Sequence, residues 1–144
     1  MAEATIDIET QSVRRSLHID ATRERVWEAI TRPEYIAQWF GDEARWDTFT
    51  VGGTGVFTWH DYGDFPVRIE EIDPPTTFAF RWGQPGAALA ATDSTLARFT
   101  LDDDGDGTLL TVVETGFDRC TTRTLDDHRG GWNSELDELA ALLS

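Results

Sequence analysis

Two side chains in this sequence could pass a proton between them. Glu114 shares its phase with Leu110 and Val112 in LLTVVE, so on a strand it points to the apolar side. A carboxylate there is costly unless it is paired or hydrogen-bonded. His128 stands one helical turn before Trp132 on the same face of TLDDHRGGWNSELDELAALLS, and can meet it. Together they could orient a ligand or serve as acid and base. The plainer reading, preferred on the sequence, is a satisfied structural bridge, or a strand that has ended by Glu114 and leaves it wet. No residue is assigned a catalytic role, and Glu114 and His128 are the two candidates.

Other patterns carry less. Asp102, Asp104, Asp106 and Gly107 in DDDGDG fit the first, third, fifth and sixth positions of an EF-hand loop. The twelfth position is Val113 instead of Glu, and the flanks read as strands, so a tight acidic hairpin is expected. His60, Asp61 and Tyr62 sit beside a turn and are expected to be exposed. Cys120 is the only cysteine, which rules out an internal disulfide, and it reads as an ordinary loop residue. Gly52-Gly53-Thr54-Gly55 is too short for a phosphate cradle and leads into a strand. No metal and no cofactor are expected.

The elements that must position Glu114 and His128 follow from periodicity. Leu125, His128, Trp132, Leu136, Leu139 and Leu143 recur at helical spacing, with Asp126, Arg129, Asn133 and Asp137 opposite. Thr124 is the expected N-cap. The helix spans roughly 28 Å, about the width of a small domain. Gly130 and Gly131, just before Trp132, are expected to permit close packing or a slight bend. Near the start, one strand runs from about Ile6 to Ile19, with His18 facing solvent. Two short helices follow, ATRERVWEAI capped by Asp20 or Thr22, and PEYIAQWF opened by Pro33 and stopped by Gly41.

From Glu43 onward the signal is strand after strand. Phe49 with Val51, Phe57 with Trp59, and Val67 with Ile69 each share a phase. So do Phe78, Phe80 and Trp82, then Thr95, Ala97, Phe99 and Leu101, then Leu110, Val112 and Glu114. Asp73-Pro74-Pro75 breaks the ladder, because proline has no N–H to donate. The expected fold is α+β: a curled antiparallel sheet of six or seven strands wrapped around the long C-terminal helix. A small-residue loop, residues 83–93, is expected near the mouth of any pocket.

The 144 residues suit one domain, taken as residues 1–144. No apolar run is long enough to span a bilayer, and the acidic N-terminus is unlike a signal peptide, so a cytoplasmic location is expected. The net charge is -15, and all 12 basic residues are arginine. Such a surface repels phosphate backbones, which excludes nucleic acid and anionic membranes as partners. The composition suits a high-salt cytoplasm, where salt screens surplus carboxylates; GC-rich coding would also replace lysine by arginine.

Four stretches then carry a resemblance. They are Val26-Trp27-Glu28-Ala29-Ile30-Thr31 with Pro33-Glu34 and Trp39-Phe40; Gly52-Gly53; Glu71-Ile72-Asp73-Pro74-Pro75 with Phe78-Ala79-Phe80-Arg81-Trp82; and His128 with Gly131-Trp132, Leu136 and Leu139. In order and spacing they resemble the START-like (SRPBCC) superfamily with its helix-grip fold. Within it they are most similar to homologues of the C-terminal domain of the heat-shock-protein-90 ATPase activator. The resemblance implies a cavity between the curled sheet and the long helix, which in some relatives binds lipids, sterols or polyketides and in others hosts a cyclase. It also implies a third role, a chaperone-associated stress-response protein. The eukaryotic activator has an extra N-terminal domain that these residues do not match, which weighs against a chaperone partner.

The expected function is therefore binding of a small apolar or aromatic ligand, without established catalysis. The ligand-binding candidates are Trp39, Phe40, Phe57, Trp59, Val67, Ile69, Phe80, Trp82, Phe99, Val112, Glu114, His128, Trp132 and Leu136. A cyclase or hydratase using Glu114 and His128 is the alternative. A filled core competes evenly with an open pocket. Either a monomer or a homodimer fits.

Overall fold

Alternation of apolar and polar residues along every long strand leaves one face of a sheet to be covered, and helix α3 (Thr122–Leu143) covers it. The computed structural model describes residues 3–7, 11–85, 94–117 and 122–143, without the side chains of 122–126. The strands are β1 (Thr5–Asp7), β2 (Ser12–Ile19), β3 (Glu43–Trp46), β4 (Thr54–Trp59), β5 (Gly63–Asp73), β6 (Thr77–Gly83), β7 (Ser94–Asp104) and β8 (Gly107–Thr115). They form one antiparallel sheet in the order β1-β2-β8-β7-β6-β5-β4-β3. The sheet curls without closing. Helices α1 (Arg23–Thr31) and α2 (Pro33–Trp39) lie between β2 and β3 in the chain. This is the helix-grip arrangement, with eight strands where six or seven are expected.

The additional strands have local causes. The single first strand expected from Ile6 is two: Gln11 takes a left-handed φ of 52°, and Thr5–Asp7 folds back to pair with Ser12–Arg14. At the other edge, Glu43–Trp46 pairs with β4, while Phe49 and Val51 lie outside any strand and are exposed. Their shared phase is therefore not a strand phase. DDDGDG is the expected hairpin: Asp104 pairs with Gly107 across a two-residue turn whose Gly105 has φ +64°. Among the described residues no group of His, Cys, Asp and Glu is arranged to hold a metal. Asp104 instead receives His18 at 2.8 Å on the solvent side. Cys120 and most of the 83–93 loop lie outside the described residues.

The helix ends show how few polar groups are left without partners. Thr22 caps α1, its side chain accepting from the Arg25 N–H, and Pro33 opens α2. The carbonyls at the end of α1 cannot find partners within the helix. Two indoles supply them: Trp39 Nε1 donates to Ala29 O and Trp46 Nε1 to Thr31 O, each at 2.8 Å. The short helices are thereby locked to each other and to β3 by tryptophans that an apolar count treats as mere bulk.

Helix α3 is held by its apolar stripe and by one buried cation. Trp132, Leu136, Leu139 and Leu143 are buried against the sheet. Arg15, in phase with Val13 and Leu17, points inward beneath them. Its guanidinium donates to Asn133 O at 2.9 Å and to Asp137 Oδ1 at 2.6 Å. Ala4 N–H reaches Asn133 Oδ1 at 2.7 Å, tying β1 to the same turn. The helix starts at Thr122, so Thr124 is inside it and is not the N-cap.

The paired glycines of α3 do not serve close packing, one of the two roles expected of them. A Cβ built on Gly130 or on Gly131 meets nothing within 4 Å. Neither glycine permits a close backbone approach. Gly130→Ala will therefore stabilise the protein by about 1 kcal/mol, the ordinary helix-propensity difference. Urea unfolding measures it, and a loss of stability would mean that the helix needs glycine there after all.

Candidate functional site

The register of three strands places the polar centre. Glu114 on β8 lies opposite Ala97 on β7 and Val13 on β2. Ala97 is small and leaves room for a carboxyl group above it. Next along β7, Thr95 pairs with Trp82 of β6. Both side chains turn toward Glu114. From above, His128 and Trp132 reach down from the same face of α3, four residues apart.

Glu114 is fully buried and collects four donors. Oε2 accepts from Trp82 Nε1 at 2.7 Å and from Thr95 Oγ1 at 2.5 Å. Oε1 accepts from Trp132 Nε1 at 2.8 Å. His128 Nδ1 lies 2.8 Å from Oε1 and 2.9 Å from Oε2. Indole nitrogens only donate, so both carboxyl oxygens are acceptors and the Nδ1 proton faces them. The cost of burying the carboxylate is offset by this full set of partners. Burial draws the His128 imidazole down, but the hydrogen bond to Glu114 and the charges of Glu114 and Asp127 outweigh it and set it above the usual range. Its Nε2 has no hydrogen-bond partner among the described residues.

In front of this centre lies a cleft of about 620 Å3, open to solvent on one side. Phe40, Trp59, Tyr62, Phe65, Trp82, Asp127, His128, Gly131, Trp132 and Glu135 line it. The rings form one connected wall. Phe40 stacks on Trp132 at 5.3 Å and 12°, and meets Trp59 edge-on at 5.0 Å. Trp59 in turn packs on Phe65 at 5.0 Å and on Trp82 at 5.9 Å. Trp82 sits 5.4 Å from the His128 ring.

Of the expected ligand-contacting residues, Phe40, Trp59, Trp82, His128 and Trp132 are on the cleft. Trp39, Phe57, Val67, Ile69, Phe80, Phe99, Val112 and Leu136 are not; they are buried in the core beneath it. One reason keeps them off the cleft: the phase of a strand or helix tells which face a residue is on, not whether another side chain already covers it. Glu114 also lies behind the wall and does not line the cleft; it is bonded to three residues that do, Trp82, His128 and Trp132. Tyr62, Phe65, Asp127, Gly131 and Glu135 were missed. Phe65 shares the phase of Val67 and Ile69, and Glu135 lies two turns after His128, so both had a legible signal.

Glu135 is half-buried and has no hydrogen-bond or ion-pair partner among the described residues. Burial, reinforced by the nearby charges of Glu138 and Asp42, pushes its carboxyl up to about 7. The folded state therefore favours the protonated form. Stability from this group is fully present below its ordinary 4.5 and is lost as pH rises through about 7. Glu135→Gln will stabilise the protein by about 1–2 kcal/mol above pH 7, after allowance for solvent screening, and will change little below pH 4.5. Urea unfolding at the two ends of that range measures it; an equal gain at both would show that the ionised carboxylate is not the cause.

No helix among the described residues is long and apolar enough to cross a membrane. Comparison with known proteins gives a consistent fold. MLL2253 from Mesorhizobium loti is 23% identical, with 92% of this chain and 96% of that one covered and a TM-score of 0.81. The Aha1 dimer from Colwellia psychrerythraea is 18% identical, with 92% and 95% covered and a TM-score of 0.77. DynU16, of the dynemicin biosynthetic locus, is 26% identical with a TM-score of 0.75; 92% of this chain is covered, but it spans only 46% of DynU16. No curated protein matches. The family model described as Activator of Hsp90 ATPase homolog 1-like protein matches residues 20–144, and with the helix-grip fold this shows that the chain belongs to that START-like family.

Proposed function

We propose that the protein binds a small apolar or aromatic molecule in the cleft between β4–β6, the end of α2 and the first turns of α3. The observation that carries this is the connected wall of Phe40, Trp59, Phe65, Trp82 and Trp132 around about 620 Å3, a size and lining suited to one small ligand. The place of DynU16 in a biosynthetic locus supports a small-molecule role. The chaperone-associated reading rests on the family's name alone. A thermal-shift and tryptophan-fluorescence screen with aromatic polyketides, sterols and aromatic amines tests the proposal. A true ligand will raise Tm and change tryptophan emission, and Phe65→Ala will weaken it about tenfold. A screen in which no compound does both at saturating concentration would count against the cleft as a binding site.

One observation favours a second reading, acid–base catalysis. Glu114 orients His128 through Nδ1 and leaves Nε2 without a partner among the described residues, at a cleft with room for substrate. That is the arrangement of a general acid or base held by a carboxylate. For a turned-over ligand, His128→Asn would keep binding and lower the rate about 10²–10⁴-fold. Equal turnover by wild type and variant would reduce the pair to a structural bridge.

A further inference from the structure

We infer that the ligand of this cleft is cationic, an amine or quaternary ammonium carried on a flat aromatic or apolar body. The inference rests on the binding reading above and narrows its ligand class. Three features of the cleft point the same way.

The first is the set of rings that line it. Trp59, Tyr62, Phe65, Trp82 and Trp132 all line the cleft. An aromatic face is electronegative and attracts a cation within about 6 Å, most strongly where water is excluded. The second is the charge around those faces. Among the described residues the lining includes Asp127 and Glu135 and no Arg, and the chain has no Lys. Its one basic group, His128, is already bonded to Glu114. Asp42 and Glu138 add negative charge beside Glu135, and the net charge of -15 draws cations toward the molecule as a whole.

The third is the state of Glu135. It is a half-buried carboxylate with carboxylate neighbours and no cation of its own among the described residues. Burial, with the charges of Glu138 and Asp42, raises its proton affinity, and no cation offsets them among the described residues. A bound ammonium supplies the missing partner and converts an unfavourable group into a charge-assisted contact. The helix makes room for such a ligand. Gly131 has open space where a Cβ would stand, so between His128 and Glu135, roughly 10 Å apart along the axis, the ligand body can lie against the α3 backbone. A ligand carboxylate at the same place would face three like charges.

The test uses three probes with one body: 1-naphthylmethylammonium, 1-naphthylmethanol and 1-naphthoate, titrated into the full chain at about pH 8 and low salt. The ammonium will bind about tenfold tighter than the alcohol, and the carboxylate will bind most weakly. Glu135→Gln will bring the ammonium-to-alcohol ratio to within about threefold. Should that variant disturb the fold, wild type offers a second measurement. The ammonium preference will fall between about pH 8 and pH 5.5 as Glu135 takes up a proton. Asp127 lines the same cleft and Asp42 and Glu138 lie beside Glu135, while His60, beside Asp42, and His128 gain charge as pH falls and oppose the ammonium further. Equal binding of ammonium and alcohol in wild type would overturn the inference and leave the cleft reading intact. Failure of all three probes would overturn both.

Discussion

Glu114→Gln will lower the stability of the protein by about 3 kcal/mol, because one buried carboxylate answers four donors. Glutamine has the same shape, but its NH2 replaces an acceptor with a donor, so at least one indole or the imidazole loses its partner. The pH dependence carries a second signature. His128 is held above its usual range by Glu114 against the downward pull of burial. Its charged form therefore adds stability that is full below 6.5 and lost as pH rises through its folded value. In Glu114→Gln the pull of burial is largely unopposed, so the His128 resonance will titrate at lower pH than in wild type. The stability gap between the two proteins will narrow as pH rises from about 6 to 9. Urea unfolding across that range, with NMR titration of His128, measures both effects. A gap that does not change with pH would separate His128 from Glu114 energetically.

Trp132→Ala will cost about 4 kcal/mol, the range for truncating a large buried ring. Trp132 is 3% exposed, stacks on Phe40, meets Phe99 edge-on at 5.8 Å and donates to Glu114. Trp132→Phe keeps most of the packing and removes the N–H, so it will cost about 1–2 kcal/mol. Combined with Glu114→Gln it will cost less than the sum of the two changes, since both remove the same hydrogen bond. A double-mutant cycle in urea gives the coupling. Additive costs would mean that the indole is present for bulk alone. The same residue forms the floor of the cleft, so Trp132→Ala will also remove the fluorescence response to any ligand that stacks there.

Much of this arrangement is legible before folding. The phase of Leu110, Val112 and Glu114 states that the carboxylate points inward, and the spacing of His128 and Trp132 states that they share a helical face. Thr22, Pro33 and the Asp104–Gly107 turn mark boundaries through local backbone chemistry, which acts over a few residues. Eight strands instead of six or seven follow from pieces too short to show a period, Thr5–Asp7 and Glu43–Trp46. Phe49 with Val51 imitates one by chance.

What the sequence alone determines is therefore what periodicity and short-range chemistry set: the sheet, the long helix, the phase that Glu114 shares with Leu110 and Val112, and the helix face shared by His128 and Trp132. Tertiary structure decides the rest, because coverage depends on neighbours far away in the chain. Phe80 and Trp82 are two residues apart on one strand face, yet only Trp82 reaches the cleft. Glu114, Thr95, Trp82 and Trp132 become one hydrogen-bonded centre only when three strand registers and one helix rotation coincide. The same holds for Glu135, whose spacing from His128 gives its helical face but not its surroundings. Asp42, brought beside it from the end of α2, and the walls of the cleft deprive it of water and give it its chemistry.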